Sequence, residues 1–122
     1  MTHTPSAGQH LLLDMHGVTD LAARTTHELY RFLENLPPAI GMQAVSTPQF
    51  VFFDNYASDT PGLSAFIILA ESHVSFHTWP ERSYVSLDLY SCRTFDTKAA
   101  ARHITDFWRP HGEVTMQVVD RG

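Results

Sequence analysis

Only two stretches of this chain repeat their apolar residues at helical spacing, whereas six are short, β-rich or alternating, and that imbalance is what most restricts the fold. The strand-like runs are Gln9–Val18, Gly41–Phe53, Leu63–Ala70, Val74–Thr78, Tyr84–Tyr90 and Val114–Val119. The first helix is expected to be capped by Thr19 or Asp20, to bury Leu21, Leu29, Phe32, Leu33 and Leu36, and to end at Pro37-Pro38. The second is expected over Lys98–Trp108, capped by Asp96 and stopped by Arg109-Pro110. Two helices cannot cover both faces of a six-stranded sheet. The order β-α-β-β-β-β-α-β therefore predicts an α+β fold: a two-layer sandwich of a mostly antiparallel sheet with both helices on one face. Pro48 cannot donate to a ladder, so its strand belongs at an edge or at a bulge, and the turn-rich Asp54–Gly62 reads as a loop.

With 122 residues, 43% of them apolar, the chain is long enough for one domain spanning 1–122 with one core, near the size at which dimerisation helps. A net charge of −5 without any cluster of Lys or Arg argues against a nucleic-acid partner. No run approaches the roughly 18 apolar residues that a membrane span requires, and the N-terminus lacks the order of a signal peptide, so a cytoplasmic protein is expected. Cys92 is the single cysteine, which excludes an internal disulfide and a cysteine-rich zinc site.

The polar run Glu71-Ser72-His73-Val74-Ser75-Phe76-His77-Thr78-Trp79-Pro80-Glu81, set between apolar strands, carries the chemistry. A serine hydroxyl held in a strained turn can attack the preceding carbonyl and convert the Glu71–Ser72 amide into an ester. Removal of the serine α-proton then expels the Glu71 carboxylate and leaves dehydroalanine, which hydrolyses to a pyruvoyl group. The ketone can form a Schiff base with an α-amine and accept the electrons released when carbon dioxide leaves. Helpers are at hand. His73, Ser75 and His77 share one face of an extended strand, which sets His77 near Ser72, and histidine titrates near neutrality. If the flanking strands form a hairpin with its tip near Ser72, Ser64 falls opposite the far end of the second strand, with a hydroxyl available to a developing oxyanion. Cys92 lies just past the next strand and can return a proton.

Glu71-Ser72-His73 followed by His77-Thr78-Trp79-Pro80-Glu81 resembles the processing site of the prokaryotic S-adenosylmethionine (AdoMet) decarboxylase proenzymes. Gly8-Gln9-His10-Leu11 is similar to that family's opening strand and Leu87-Asp88-Leu89-Tyr90-Ser91-Cys92 to its aspartate-to-cysteine strand. The resemblance implies that Ser72 is the pyruvoyl precursor, that Glu71 ends one product chain, that His77 and Ser64 assist processing, and that Cys92 is the general acid. It further implies that Glu81 and Val74 bind substrate. The mature enzyme would comprise chains 1–71 and 72–122, use no pyridoxal phosphate and no metal, pair as a homodimer with its sites near the subunit contact, and supply decarboxylated AdoMet for spermidine synthesis.

One segment departs from the pattern. Between Ser46-Thr47 and Ser64 the chain is longer than the family's loop. Phe50, Phe52, Phe53 and Tyr56 are candidates there for stacking on adenine, and Asp54 and Asp59 for meeting a basic tail. Arginine or ornithine is thus the alternative substrate. Two further alternatives are an unprocessed, non-catalytic relative and a metal site built on His73 and His77 with Glu71 and Glu81. Singly, each residue has a plainer reading: Ser64 and Ser72 as turn serines, His77 as a satisfied strand histidine, Cys92 as an inert thiol.

Overall fold

Alternation organises the molecule. The computed structural model describes residues 7–53 and 60–122. Its elements are β1 (Gly8–His16), α1 (Thr26–Ala39), β2 (Gln49–Phe53), β3 (Gly62–Leu69), β4 (Ser72–Trp79), β5 (Tyr84–Ser91), α2 (Thr97–Trp108) and β6 (Val114–Arg121). The strands form one sheet in the order β2-β3-β4-β5-β1-β6, and every neighbouring pair is antiparallel. Leu11, Leu13 and Met15 on β1, Val74 and Phe76 on β4, and Val85, Leu87 and Leu89 on β5 point to one face and are buried. Against them lie Leu29, Phe32, Leu33 and Leu36 of α1 and Ala100, Ile104 and Trp108 of α2. The result is the two-layer α+β sandwich, with the helices on one side.

Aromatic rings tie the layers together. Trp108 is fully buried and meets Phe76 edge-on at 5.1 Å, while Phe32 stacks on Phe107 at 4.4 Å. Such pairs add to the area they bury. Arg24 lies over the rings of Phe107 and Trp108 and donates to the Trp108 carbonyl at 2.8 Å and to Asp20 at 3.1 Å.

Several boundaries differ from the expectation, each for a local reason. The first helix begins at Thr26, because Thr25 accepts the Glu28 N–H at 3.1 Å and so supplies the cap, whereas Leu21–Ala23 forms only a short 3₁₀ turn. Pro37 and Pro38 sit inside the last turn of α1 and withdraw two donors from its ladder; the Ile40 and Met42 N–H groups close the end on the Leu36 and Pro37 carbonyls at 3.3 and 2.8 Å, and the stop comes at Gly41, which adopts φ 76°. Most of the predicted extended run from Gly41 is irregular. It touches the sheet through an Ala44–Leu69 bridge before β2 starts, and Pro48 precedes that edge strand. The strand expected from Val74 begins at Ser72, which leaves a two-residue turn before it.

Candidate active site

The β3–β4 hairpin turns through Ala70 and Glu71 and sets Leu69 opposite Ser72. Glu71 holds φ 65°, a left-handed conformation that costs a residue with a β-carbon roughly 1–2 kcal/mol. Strain of this kind persists only where the surroundings impose it. Here the end of β5 does so: the Cys92 N–H donates to Ser72 Oγ at 3.1 Å, and the Cys92 thiol donates to Glu71 Oε2 at 3.3 Å. One residue therefore grips both sides of the Glu71–Ser72 bond. A cavity of about 290 Å³ opens beside it, lined by Ser72, Ser91 and Cys92 and, across from them, by Met42 and Gln43. A larger groove of about 500 Å³ between the helices, lined by His27, Arg31, Phe32 and Phe107, shares no residue with this cavity, and the chemistry favours the smaller one.

The face without helices carries a hydrogen-bonded cluster near the same end of the sheet. Asp88 Oδ2 meets His10 Nε2 at 2.7 Å and His73 Nε2 at 2.8 Å, and Oδ1 accepts the Ser75 hydroxyl. Burial pushes the Asp88 carboxyl up, but these bonds and the charge of His73 outweigh it and hold the group below the usual carboxylate value. His10, His73 and Asp88 are also the group whose ligand atoms come close enough to surround a metal ion, all within 4.8 Å of one another. Arg121 approaches His10 Nδ1 at 3.3 Å and can only donate, so Nε2 carries the His10 proton and directs it at Asp88. His77, Glu71 and Glu81 are not part of this group.

Sequence reasoning did not single out Asp88, His10 or Ser75 as partners of His73. Alternation places His73 and Ser75 on one face, but the convergence on Asp88 needs the register of β4 against β5 and of β5 against β1.

The sequence-predicted residues divide between the two ends of the sheet. Ser64 pairs directly opposite His77, and its hydroxyl lies 2.6 Å from His77 Nδ1. This pair is not near Ser72 of its own chain, which corrects the expectation from the shared strand. Five residues of β4 at about 3.3 Å each separate His77 from Ser72 by roughly 17 Å, and the two have opposite parity along the strand. Glu81, on the short turn that follows β4, belongs to the His77 end and is exposed. Val74, expected to bind substrate, has its side chain fully buried in the core, and its neighbours on both sides are Ile67 and Leu89, so a substrate contact through that side chain is ruled out. Phe50 is half-buried against Tyr30, whereas Phe52 and Phe53 are exposed on β2 at the His77 end. Asp54, Tyr56 and Asp59 lie outside the described residues.

Residues 9–122 match the family model described as S-adenosylmethionine decarboxylase. The chain is 34% identical over 115 residues to the S-adenosylmethionine decarboxylase proenzyme of Thermoplasma acidophilum, covering 92% of this chain and 82% of that one. It is 29% identical over 116 residues to the proenzyme of Persephonella marina, with 94% and 82% covered. Among solved structures, the adenosylmethionine decarboxylase of Aquifex aeolicus superposes with a TM-score of 0.79 at 26% identity, over 98% of this chain and 93% of that one.

Proposed function

Since the chain belongs to the S-adenosylmethionine decarboxylase family, we propose that it is made as a proenzyme, cuts itself between Glu71 and Ser72, and decarboxylates AdoMet to supply spermidine synthesis. The observation that carries this reading is Cys92 bonded to both sides of a bond whose first residue is left-handed. The surroundings of Ser72 fit the formation of a pyruvoyl group: its oxygen is held by a main-chain amide, and the preceding carbonyl belongs to a residue that gains from release. When formed, that group is an electron sink for decarboxylation. Cleavage of the single domain would yield chains 1–71 and 72–122.

The chain's own groups then take these parts. The Cys92 thiol, beside Ser72 and bonded to the Glu71 side chain, carries the proton delivered after carbon dioxide leaves. Ser64 and His77 form a hydroxyl–imidazole pair suited to holding and moving a proton during processing, yet they stand roughly 17 Å along β4 from Ser72. A second copy resolves that separation. Its own two-fold pairing, with the uncovered sheet faces together, lays the His77 end of one protomer over the Ser72 end of the other. Phe66 and Ile68 of β3 and Val51 of β2 leave apolar surface on that face for such a contact. Glu81 and the exposed Phe53 arrive with the His77 end and are the groups available there to a nucleoside, whereas Phe52 turns to the helix side beside Leu21 and Arg24. No helix of the described residues is long and apolar enough to cross a membrane, and a cytoplasmic homodimer is the form proposed.

Mass spectrometry of the denatured protein tests the cut: two fragments divided between Glu71 and Ser72, the second with a pyruvoyl N-terminus, are expected. Mixing tests the partner. Ser72→Ala and His77→Ala chains each stay whole alone, but together the first lends its His77 to the second, and the His77→Ala chain is cleaved. No cleavage in the mixture would mean that His77 does not act across copies.

A further inference from the structure

The cavity beside Ser72 has one cationic wall. Arg93 follows Cys92 directly and lines the cavity with Ser72, Ser91 and Cys92. Its backbone is fixed, because its N–H donates to the hydroxyl of the buried Ser91 at 3.1 Å. Its guanidinium is not. Arg24 and Arg109 meet Asp20, Arg31 meets Glu34, Arg82 lies over Tyr84, and Arg121 meets His10 and Tyr90. Among the described residues the Arg93 side chain has no such partner, although the Glu71 carboxylate contacts the adjacent Cys92. Lys98 and Arg102 are also without partners, but they sit on α2 and do not line the cavity. An unpaired guanidinium presents a planar fork of donors matched to a carboxylate.

We propose that Arg93 binds the α-carboxylate of the amino-acid substrate docked at residue 72; this rests on the decarboxylase reading above. An α-amino acid carries one anion at the centre that reacts, and Arg93 is the cation next to Ser72 and Cys92. The carboxylate is also the group that the reaction removes. Arg93 therefore tells substrate from product: it holds the amino acid before carbon dioxide departs and has no anion to hold afterwards. Because negative charge leaves the carboxylate as the bond breaks, the pairing stabilises the bound substrate at least as much as the transition state. Its loss thus falls on KM and leaves kcat unchanged or raised.

The test uses cleaved protein in which borohydride has reduced the ketone at residue 72, so that binding is read without turnover. Calorimetry is run with AdoMet and with decarboxylated AdoMet on the wild type, Arg93→Gln and Arg93→Lys. Loss of one charge-assisted pair is expected to weaken AdoMet binding about ten- to hundredfold in Arg93→Gln, with partial retention in Arg93→Lys and no change for decarboxylated AdoMet. In unreduced enzyme the same variant raises KM for AdoMet by a similar factor. Unchanged AdoMet affinity, or an equal loss for both ligands, overturns the assignment while leaving the decarboxylase reading intact. A wild-type chain that never cleaves overturns both.

Discussion

The two ends of β4 differ in kind although one strand joins them. At the Ser72 end the backbone is constrained: Glu71 is left-handed, and Cys92 from a neighbouring strand bonds to both Glu71 and Ser72. At the His77 end the backbone is regular and the chemistry lies in side chains, with Ser64 and His77 facing each other in register. A bond beside a left-handed residue and a hydroxyl–imidazole pair are thus built by the same hairpin but kept apart within it. A hairpin can hold both because its tip permits unusual φ, whereas its body enforces alternation; it cannot bring them together, because an extended strand does not fold back on itself.

The sharpest way to break this comparison is to remove what the ends share. Phe76 lies between them, fully buried against Phe32 and Trp108, and Phe76→Ala is expected to cost about 3–5 kcal/mol in chemical denaturation. Both ends should fail with it. His77→Ala separates them instead: self-cleavage slows by about a hundredfold or more while the unfolding midpoint stays put, as a time course on denaturing gels beside a urea titration would reveal. An equal loss of stability would mean that the exposed pair is structural.

Asp88→Asn acts at the Ser72 end. It replaces one of the two oxygens that serve His10, His73 and Ser75 with an amide nitrogen that can only donate, and a loss of about 1–3 kcal/mol is expected. Since the folded state holds the Asp88 pKa below the usual carboxylate value, its stabilisation is present above that range and disappears as pH falls through the folded value. Unfolding free energies measured from neutral pH down into the carboxylate range should show a fall in the wild type that is shallower in Asp88→Asn. The smallest effect on the isolated chain is expected from Phe66→Ala. Phe66 is exposed on the uncovered face, so its truncation should cost the monomer less than about 1 kcal/mol yet weaken self-association seen by sedimentation.

Much of the fold was legible because period and punctuation are local. The alternation of Tyr84–Ser91 and the spacing of Ala100, Ile104 and Trp108 name their own buried faces, and Asp96 caps α2 by accepting the Ala99 N–H as a short polar residue should. Thr25 was missed in favour of Thr19 or Asp20, since all three offer the same capping oxygen and only packing selects among them. The run from Glu71 to Glu81 could be picked out because its residue types stand together in the chain.

Relations across strands were legible only where a single hairpin sets them, as in the expected place of Ser64 opposite the far end of the second strand. That His77 stands opposite Ser64 follows from the hairpin register, but that it lies far from Ser72 follows from the rise of a strand, which sequence proximity conceals. The convergence of His10, His73 and Ser75 on Asp88 joins residues up to 78 positions apart. Val74 shows the same limit from the other side: the family resemblance implied contact with substrate, and the pleat turns its side chain into the core. Residue type and period specify which groups exist and which face each prefers. Only the pairing of strands decides which of them meet, because hydrogen-bond register, not chain order, sets the distances between side chains on a sheet.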